Sequence, residues 1–514
     1  MNRIQLFINF CSLPLAKIKN KPVLFLGPVF ALFFVPVLFS EHIPSISGAY
    51  SDQRLLLSLL SIAAIFLCFV RLSYKGRLVS ALLDLWPFLL LVCSFLIAVL
   101  QHHSGLFYLA EPVFYMFYVL AFGISGYVIG TEGLVQQAAE ALLIVVAAAC
   151  FFYAAMTITV YLFAITDNFS PLDHVIPWGF VNIRYWSHIA TWVLPLFPLF
   201  LLVVPCKRKK LWRLGAAFTG AMWWWVLFLS SSRGSMVGLL IGFVLVWVCF
   251  GRAALPWITL FVRFALYGVG TWLILSLVIP GLVFDEVQLR ELKADSSGRM
   301  PLWQEAWAMS LQNFPFGMGP QSWLTHDILT DAYHASPKFG HPHNMYLMWA
   351  AEYGWISIAG LVLLGGFALR HLWCQIAVVR SGQVPNGLLL AAFTAAVLSA
   401  LVHAGVSAVF IAPGSMLVGL PILIVFWALM KPVPAQSAMT AASTQSRLAR
   451  MSGYAVAVVF LAGSAFWFCD VLNYRKAMVD DIDYYQNEVS LGNLPRFWFH
   501  GYFPRPASEM PSQE

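Results

Sequence analysis

The sequence predicts an all-α fold: a polytopic integral membrane protein with about 12–13 transmembrane helices and one long outer segment between spans. Three observations carry this prediction. The chain is 60% hydrophobic and only 10% charged over 514 residues, against roughly 25% charged in a soluble domain. Apolar runs of about 17 to 25 residues, enough to cross a bilayer core, recur from one end to the other. The basic residues gather in alternate loops, as cytoplasmic loops do. The net charge of +7 is therefore read as topology first, and nothing suggests a nucleic-acid partner.

Taken in order, the first 21 residues carry Arg3, Lys17, Lys19 and Lys21 ahead of the run PVLFLGPVFALFFVPVLFS. That run is long for a signal peptide and lacks an A-x-A site, so it reads as an uncleaved first span. Further spans are expected at 55–70, 81–100, 106–130, 138–163, 188–205, 214–230, 235–251, 257–280, 344–369, 388–410, 415–430 and 454–472. With the N-terminus inside, the basic stretches RLSYKGR and CKRKKLWR and the segments 370–387 and 431–453 also fall inside. The outer face then receives 166–187, the SSSRG turn, the long segment 281–343 and everything after about 473. Residues 431–453, rich in Ala, Ser, Thr and Gln, read as a flexible linker. The stretch RFWFHGYF near the end mixes aromatic and basic residues suited to a membrane interface.

No GxxxxGK[ST] loop and no dinucleotide fingerprint occurs, so nucleotide-driven chemistry finds no support. The eight cysteines lie in spans or short loops without CxxC, and they support neither a disulfide framework nor a zinc site. Three outer arginines stand in weakly charged surroundings: Arg184 in GFVNIRYWSH, Arg233 in FLSSSRGSMVG and Arg299 in DSSGRMPLWQEAW. A guanidinium never loses its charge, and its forked donors match phosphate oxygens. An isolated arginine at this depth also snorkels to headgroups or caps a helix end. The stretch GHPHNMYLMWAAEYGW, residues 340–355, has two readings as well. Asn344 is a helix cap and His343 an interfacial ring, or His343 is a base that takes a proton from a hydroxyl. Glu111, Glu352 and His403 lie inside expected spans, where an ionisable group is a functional candidate or a buried structural partner.

Together these residues resemble the bacterial O-antigen ligase and polymerase superfamily of membrane glycosyltransferases. The SRG turn (Ser232, Arg233, Gly234), the segment SSGRMPLWQEAWAMSLQNFPFGMGPQSW and the order His343–Asn344, nine residues, Gly354 carry the resemblance. Ser357 stands where the family's H-N-x9-G-x-x-G pattern has its final glycine. The likeness covers roughly residues 175–370. On its terms the chain divides into N-terminal transmembrane helices (1–165), a catalytic membrane region (166–430, with the periplasmic segment 281–343), the cytoplasmic linker 431–453, and a last span with a periplasmic tail (454–514).

The resemblance implies a metal-independent, inverting enzyme of the bacterial cell inner membrane, without a cofactor, working on the periplasmic face. It would transfer a glycan from undecaprenyl pyrophosphate to an acceptor hydroxyl. His343 would be the catalytic base, and Arg233 and Arg299 would bind the pyrophosphate. Arg184 joins them from its location alone, and His341 and Asn344 are possible supporting residues. The leading expectation is O-antigen ligation to lipid A-core in lipopolysaccharide biosynthesis. A polysaccharide polymerase or a protein O-oligosaccharyltransferase shares donor and motif. A lipid-linked sugar transporter is the reading from another class, and it calls for broken helices with charges near mid-bilayer.

Overall fold

The computed structural model describes residues 21–100, 106–169, 171–180, 182–204, 208–284, 298–382, 386–430, 447–482 and 494–500. Among these the fold is all-α without a strand. Inside a bilayer every backbone N–H and C=O must be paired within its own segment, which an apolar run achieves as a helix. The first half contains α1 (Lys21–Leu38), α2 (Ala49–Tyr74), α3 (Leu78–Asp84), α4 (Trp86–Leu100), α5 (Ala110–Thr131) and α6 (Val135–Thr166). Next come α7 (Ile183–Val193), α8 (Phe197–Leu202), α9 (Lys209–Ser230), α10 (Arg233–Phe250), α11 (Leu255–Trp272) and α12 (Ile279–Val283). The polar segment supplies α13 (Arg299–Gln312), α14 (Ser322–Thr325) and α15 (Asp331–His334). The chain then returns through α16 (Met345–Arg380), α17 (Gly387–Ala404), α18 (Pro413–Met430) and α19 (Arg447–Asp480).

Every expected span falls on a helix. Among the described residues nine helices are long and apolar enough to cross a membrane, or ten if α3 and α4, bent by 79°, form one span. The smaller count has physical sources. Of α1 only Phe25–Leu38 enters the count, as a shorter apolar helix, and Arg233–Val283 counts once although it holds α10, α11 and α12. The basic first turn of α9 and its tryptophans 223–225 lower its hydropathy. Of the expected linker, residues 431–446 lie outside the described residues, and α19 already begins at Arg447.

The bundle is organised around α18, all of whose residues are buried, as expected of a helix that is apolar all round. It packs on α5, α2, α7, α1 and α17. At one end Arg71 and Lys75 of the α2–α3 turn meet Glu132 after α5 at 2.9 and 2.6 Å. This joins two turns that the sequence assigns to the same side.

Two features prepare the opposite end. Along α10, Gly234, Gly238 and Gly242 recur every fourth residue and lie against α17; a Cβ on Gly238 would sit 2.6 Å from the Ser399 carbonyl. Small residues at this spacing let two membrane helices approach backbone to backbone. The second feature is a break in α16 at Gly354, whose φ of 76° lies in the left-handed region. The turn 315–319 fills the break. Met318 N–H donates to the Ala351 carbonyl (2.8 Å), Gly319 N–H to that of Glu352 (2.9 Å), and Ile356 N–H to that of Pro315 (3.2 Å). The backbone groups freed by the break are thus satisfied within the protein. Ser357, at the position of the missing family glycine, is buried and donates its hydroxyl to the Gly354 carbonyl at 2.7 Å. The PFGMG turn and Gly354 are therefore two halves of one contact.

Gly354→Ala should be among the most destabilising single substitutions in the chain. The new Cβ would meet the Pro315 carbonyl in a backbone conformation that costs an L-residue about 1–2 kcal/mol before any clash. We expect a loss of at least about 2 kcal/mol, seen as a clear drop in melting temperature in detergent. An unchanged melt would contradict the contact.

Candidate functional site

The site is built from three helix starts and one loop at the same end of the bundle. Asn182 caps α7: its side chain accepts the Arg184 N–H at 2.9 Å. Ser187 donates its hydroxyl to the Arg184 carbonyl at 2.8 Å. Ser235, one turn into α10, donates to the Ser187 carbonyl at 3.1 Å. This ladder ties Arg184 to the SRG turn. In that turn Ser231 is left-handed (φ 48°) and Arg233 N–H donates to its carbonyl at 2.9 Å. Behind it Gly234 lies against His403, whose Nδ1 is 3.0 Å from the Thr191 hydroxyl, and His188 Nε2 is 2.8 Å from the Ser407 hydroxyl.

Arg299 opens α13, early in the polar segment. This part is anchored by Glu305, which is fully buried although its neighbourhood is polar. The carboxylate accepts the Leu329 N–H (2.7 Å), the Thr330 hydroxyl and the His326 ring (2.8 Å). Burial pushes this carboxyl up, but the three donors outweigh it and hold the group below the ordinary carboxylate range. The α13 helix then packs on α16.

The loop 340–344 leads into α16. Asn344 caps that helix, accepting the Leu347 N–H at 3.1 Å. His341 accepts the His343 N–H through Nδ1 at 3.1 Å. His343 has φ 55°, rare for a residue with a side chain. Its ring stacks edge-on against His341 and Phe339, with centroids 4.4 and 5.1 Å away. Among the described residues neither ring nitrogen of His343 has a hydrogen-bond partner, although both are buried. A buried polar atom without a partner is costly, which makes this ring a candidate for contact with a bound group. Of the two readings of 340–355, the helix cap at Asn344 is observed, and His343 remains the candidate base.

The structure brings the sequence candidates together electrostatically. Burial lowers the His343 pKa, and the positive fields of Arg184 and Arg299 lower it further, to about 3. Burial likewise draws Arg299 below its ordinary value, helped by Arg184 and Arg233. His341 is held down by burial first, then by His343 and Arg496. The result is a group of cationic side chains near imidazoles held neutral, an arrangement able to receive an anion.

Sequence reading missed Arg496, which belongs to RFWFHGYF and was expected along the membrane interface. Arg496, Phe497 and Trp498 are instead buried. The guanidinium donates to Glu111 of α5 at 2.9 and 3.0 Å and to Glu352 of α16, and Nη1 donates to the Gly340 carbonyl at 3.4 Å. The signal lay in the two glutamates. Two carboxylates inside spans require a cation, and the basic residues after the last span were available to supply it.

Glu305→Ala should loosen the polar segment by leaving three buried donors unsatisfied, at about 1–3 kcal/mol each. Faster amide exchange over 322–334, with α18 unaffected, is the expected result. Uniform protection across both would contradict the anchoring role.

The comparisons bear on this same region. Residues 217–364, which include Arg233, Arg299, His341, His343 and Asn344 but not Arg184, match the family model described as O-antigen ligase. No curated protein matches the chain. The match supports the O-antigen ligase superfamily for this multi-pass membrane protein, with the similarity confined to residues 217–364.

Proposed function

We propose that the protein is an inverting, metal-independent glycosyltransferase of the bacterial inner membrane, working on its periplasmic face. It transfers a glycan from undecaprenyl pyrophosphate to an acceptor hydroxyl, and the leading acceptor is lipid A-core. The observation that carries this reading is an unpartnered His343 in the field of Arg184 and Arg299, with Arg233 acting on Arg299, at a site of which all but Arg184 lies in the matched region.

The chemistry follows from charge. The acceptor oxygen attacks the anomeric carbon from the face opposite the leaving group while its proton passes to a His343 ring nitrogen. The bond from the anomeric carbon to the pyrophosphate oxygen breaks, and lipid pyrophosphate departs with the electron pair. Such a leaving group needs its developing charge stabilised and needs no proton. Fixed guanidiniums supply that stabilisation. In the empty site the arginines make His343 a weak base. Bound pyrophosphate offsets their field and makes the ring more basic when the donor is present.

A further feature supports a lipid-linked donor. An apolar cavity of about 280 Å³ begins beside Met345, two residues past His343, and runs between α4, α5, α16, α17 and α18. It suits part of a hydrocarbon chain.

His343→Ala should lower transfer by about 10²–10⁴-fold while folded protein still accumulates in the membrane. Near wild-type transfer by the purified variant would remove the base assignment. Arg233→Ala and Arg299→Ala should each weaken donor binding by about tenfold or more and leave acceptor binding nearly unchanged; equal losses would speak against a pyrophosphate clamp. Activity should survive a chelator, and loss restored by Mg²⁺ would contradict the metal-free scheme. In a deletion strain, uncapped core with accumulated polymer identifies a ligase. Core bearing a single repeat unit identifies a polymerase, and unglycosylated protein an oligosaccharyltransferase.

The pH profile gives an independent check. A depressed histidine pKa leaves the neutral base form present down to about 3, so activity is lost only as pH falls towards that value. The kcat/KM profile, which reports the free enzyme, should lack an acidic limb near 6.5. A limb centred there would show an ordinary, charged histidine in the empty site.

A further inference from the structure

The segment Leu494–His500 has no part in the proposed chemistry, yet it runs through the buried base of the site. We propose that Arg496 is a positioning residue: by holding Gly340 and Glu352 together it fixes the loop 340–343, and through it the His343 ring. The proposal rests on the reading of His343 as the base.

A left-handed residue other than glycine persists only where its surroundings over-determine it. The ring of His343 offers no such support, since neither nitrogen has a partner among the described residues. Beyond the edge contacts with His341 and Phe339, its orientation therefore comes from its backbone. That backbone is held on one side by His341 Nδ1 and the Asn344 cap. On the other side Gly340 rests on Leu494 and Pro495, so closely that a Cβ would lie 2.5 Å from the Pro495 carbonyl. Its own carbonyl accepts Arg496 Nη1.

The same guanidinium reaches Glu352, whose other oxygen accepts the Trp323 N–H at 3.1 Å. Arg496 thus links the loop bearing His343 to the segment that follows the PFGMG turn. Arg496 is itself immobilised. Glu111 receives two of its donors, Tyr50 donates to its carbonyl at 2.7 Å, and Arg54 donates to the next carbonyl, that of Phe497, at 3.1 Å. A planar fork can serve three acceptors in fixed directions, which a lysine ammonium on a flexible stem cannot.

The test must separate positioning from loss of fold. Arg496→Met alone strands two buried carboxylates, so the variant of choice combines Arg496→Met with Glu111→Gln and Glu352→Gln. Arg496→Lys, which keeps the charge, is the second variant. Both are purified full-length in detergent and their melts compared with the wild type. The first readout needs no substrate: the rate at which diethyl pyrocarbonate modifies His343, resolved by fragment mass spectrometry, with buried His188 as internal control.

We expect His343 modification to rise tenfold or more in the triple variant and less in Arg496→Lys, with His188 unchanged. In the transfer assay kcat should fall thirtyfold or more while the donor KM stays within threefold. Unchanged His343 reactivity in both variants overturns the proposal whatever the kinetics. Raised reactivity with wild-type kcat, in a protein that does transfer glycan, overturns it as well. If reactivity rises but the wild type transfers no glycan, the positioning role stands and the reading of His343 as a base falls.

Discussion

The buried ion cluster of Arg496 with Glu111 and Glu352 is the interaction on which the rest of this end of the molecule depends. Each charge costs several kcal/mol to take out of water, and removing one partner from such a cluster typically costs about 3–5 kcal/mol. The cluster therefore forms as a unit. It joins four parts far apart in sequence: α5 through Glu111, α16 through Glu352, the loop before α16 through Gly340, and the segment 494–500 through Arg496 itself. Trp323, bonded to Glu352, brings the polar segment into the same network.

Close to this balanced cluster stands a group of residues with the opposite electrostatics. Arg184 and Arg233 act on Arg299, and Arg184 and Arg299 act on His343, with a single sign of charge. The fold supports that repulsion because each arginine sits at the start of a helix whose register is fixed elsewhere. Asn182 and the Ser187–Ser235 ladder fix α7 and α10, the glycine stripe presses α10 on α17, and Glu305 anchors α13. Neutralised charge builds the frame, and charge of one sign gathers where the proposed anionic substrate would bind.

Much of the fold was legible in the sequence. Runs of apolar residues reach bilayer length only as helices, so every expected span falls on one. The number that cross was less legible, because α3 and α4 are bent by 79° within one expected span and α10 to α12 follow one another through short 3₁₀ and π turns. Arg233, Arg299 and His343 were legible as well, for a different reason: charged and titratable groups are so scarce here that each outer one stands out. Arg496 was not, because a basic residue among aromatics fits a membrane interface as well as a buried ion pair. Sequence spacing does not say which of the two carboxylates, or whether both, will claim it.

The sequence by itself determined the helical, membrane-spanning architecture, the SRG and His–Asn patterns, and the glycines at 317 and 354. Each of these is a local matter of hydrophobic length, residue chemistry or backbone freedom. Only the tertiary structure decided that Gly317 and Gly354 meet, that Ser357 closes the break in α16, and that Arg184 and Arg299, from two helices, act on one histidine. It alone decided that Arg496 lies beneath them. These outcomes depend on contacts between residues up to hundreds of positions apart, and such contacts are fixed by helix packing and by the cost of leaving a buried charge or backbone group without a partner.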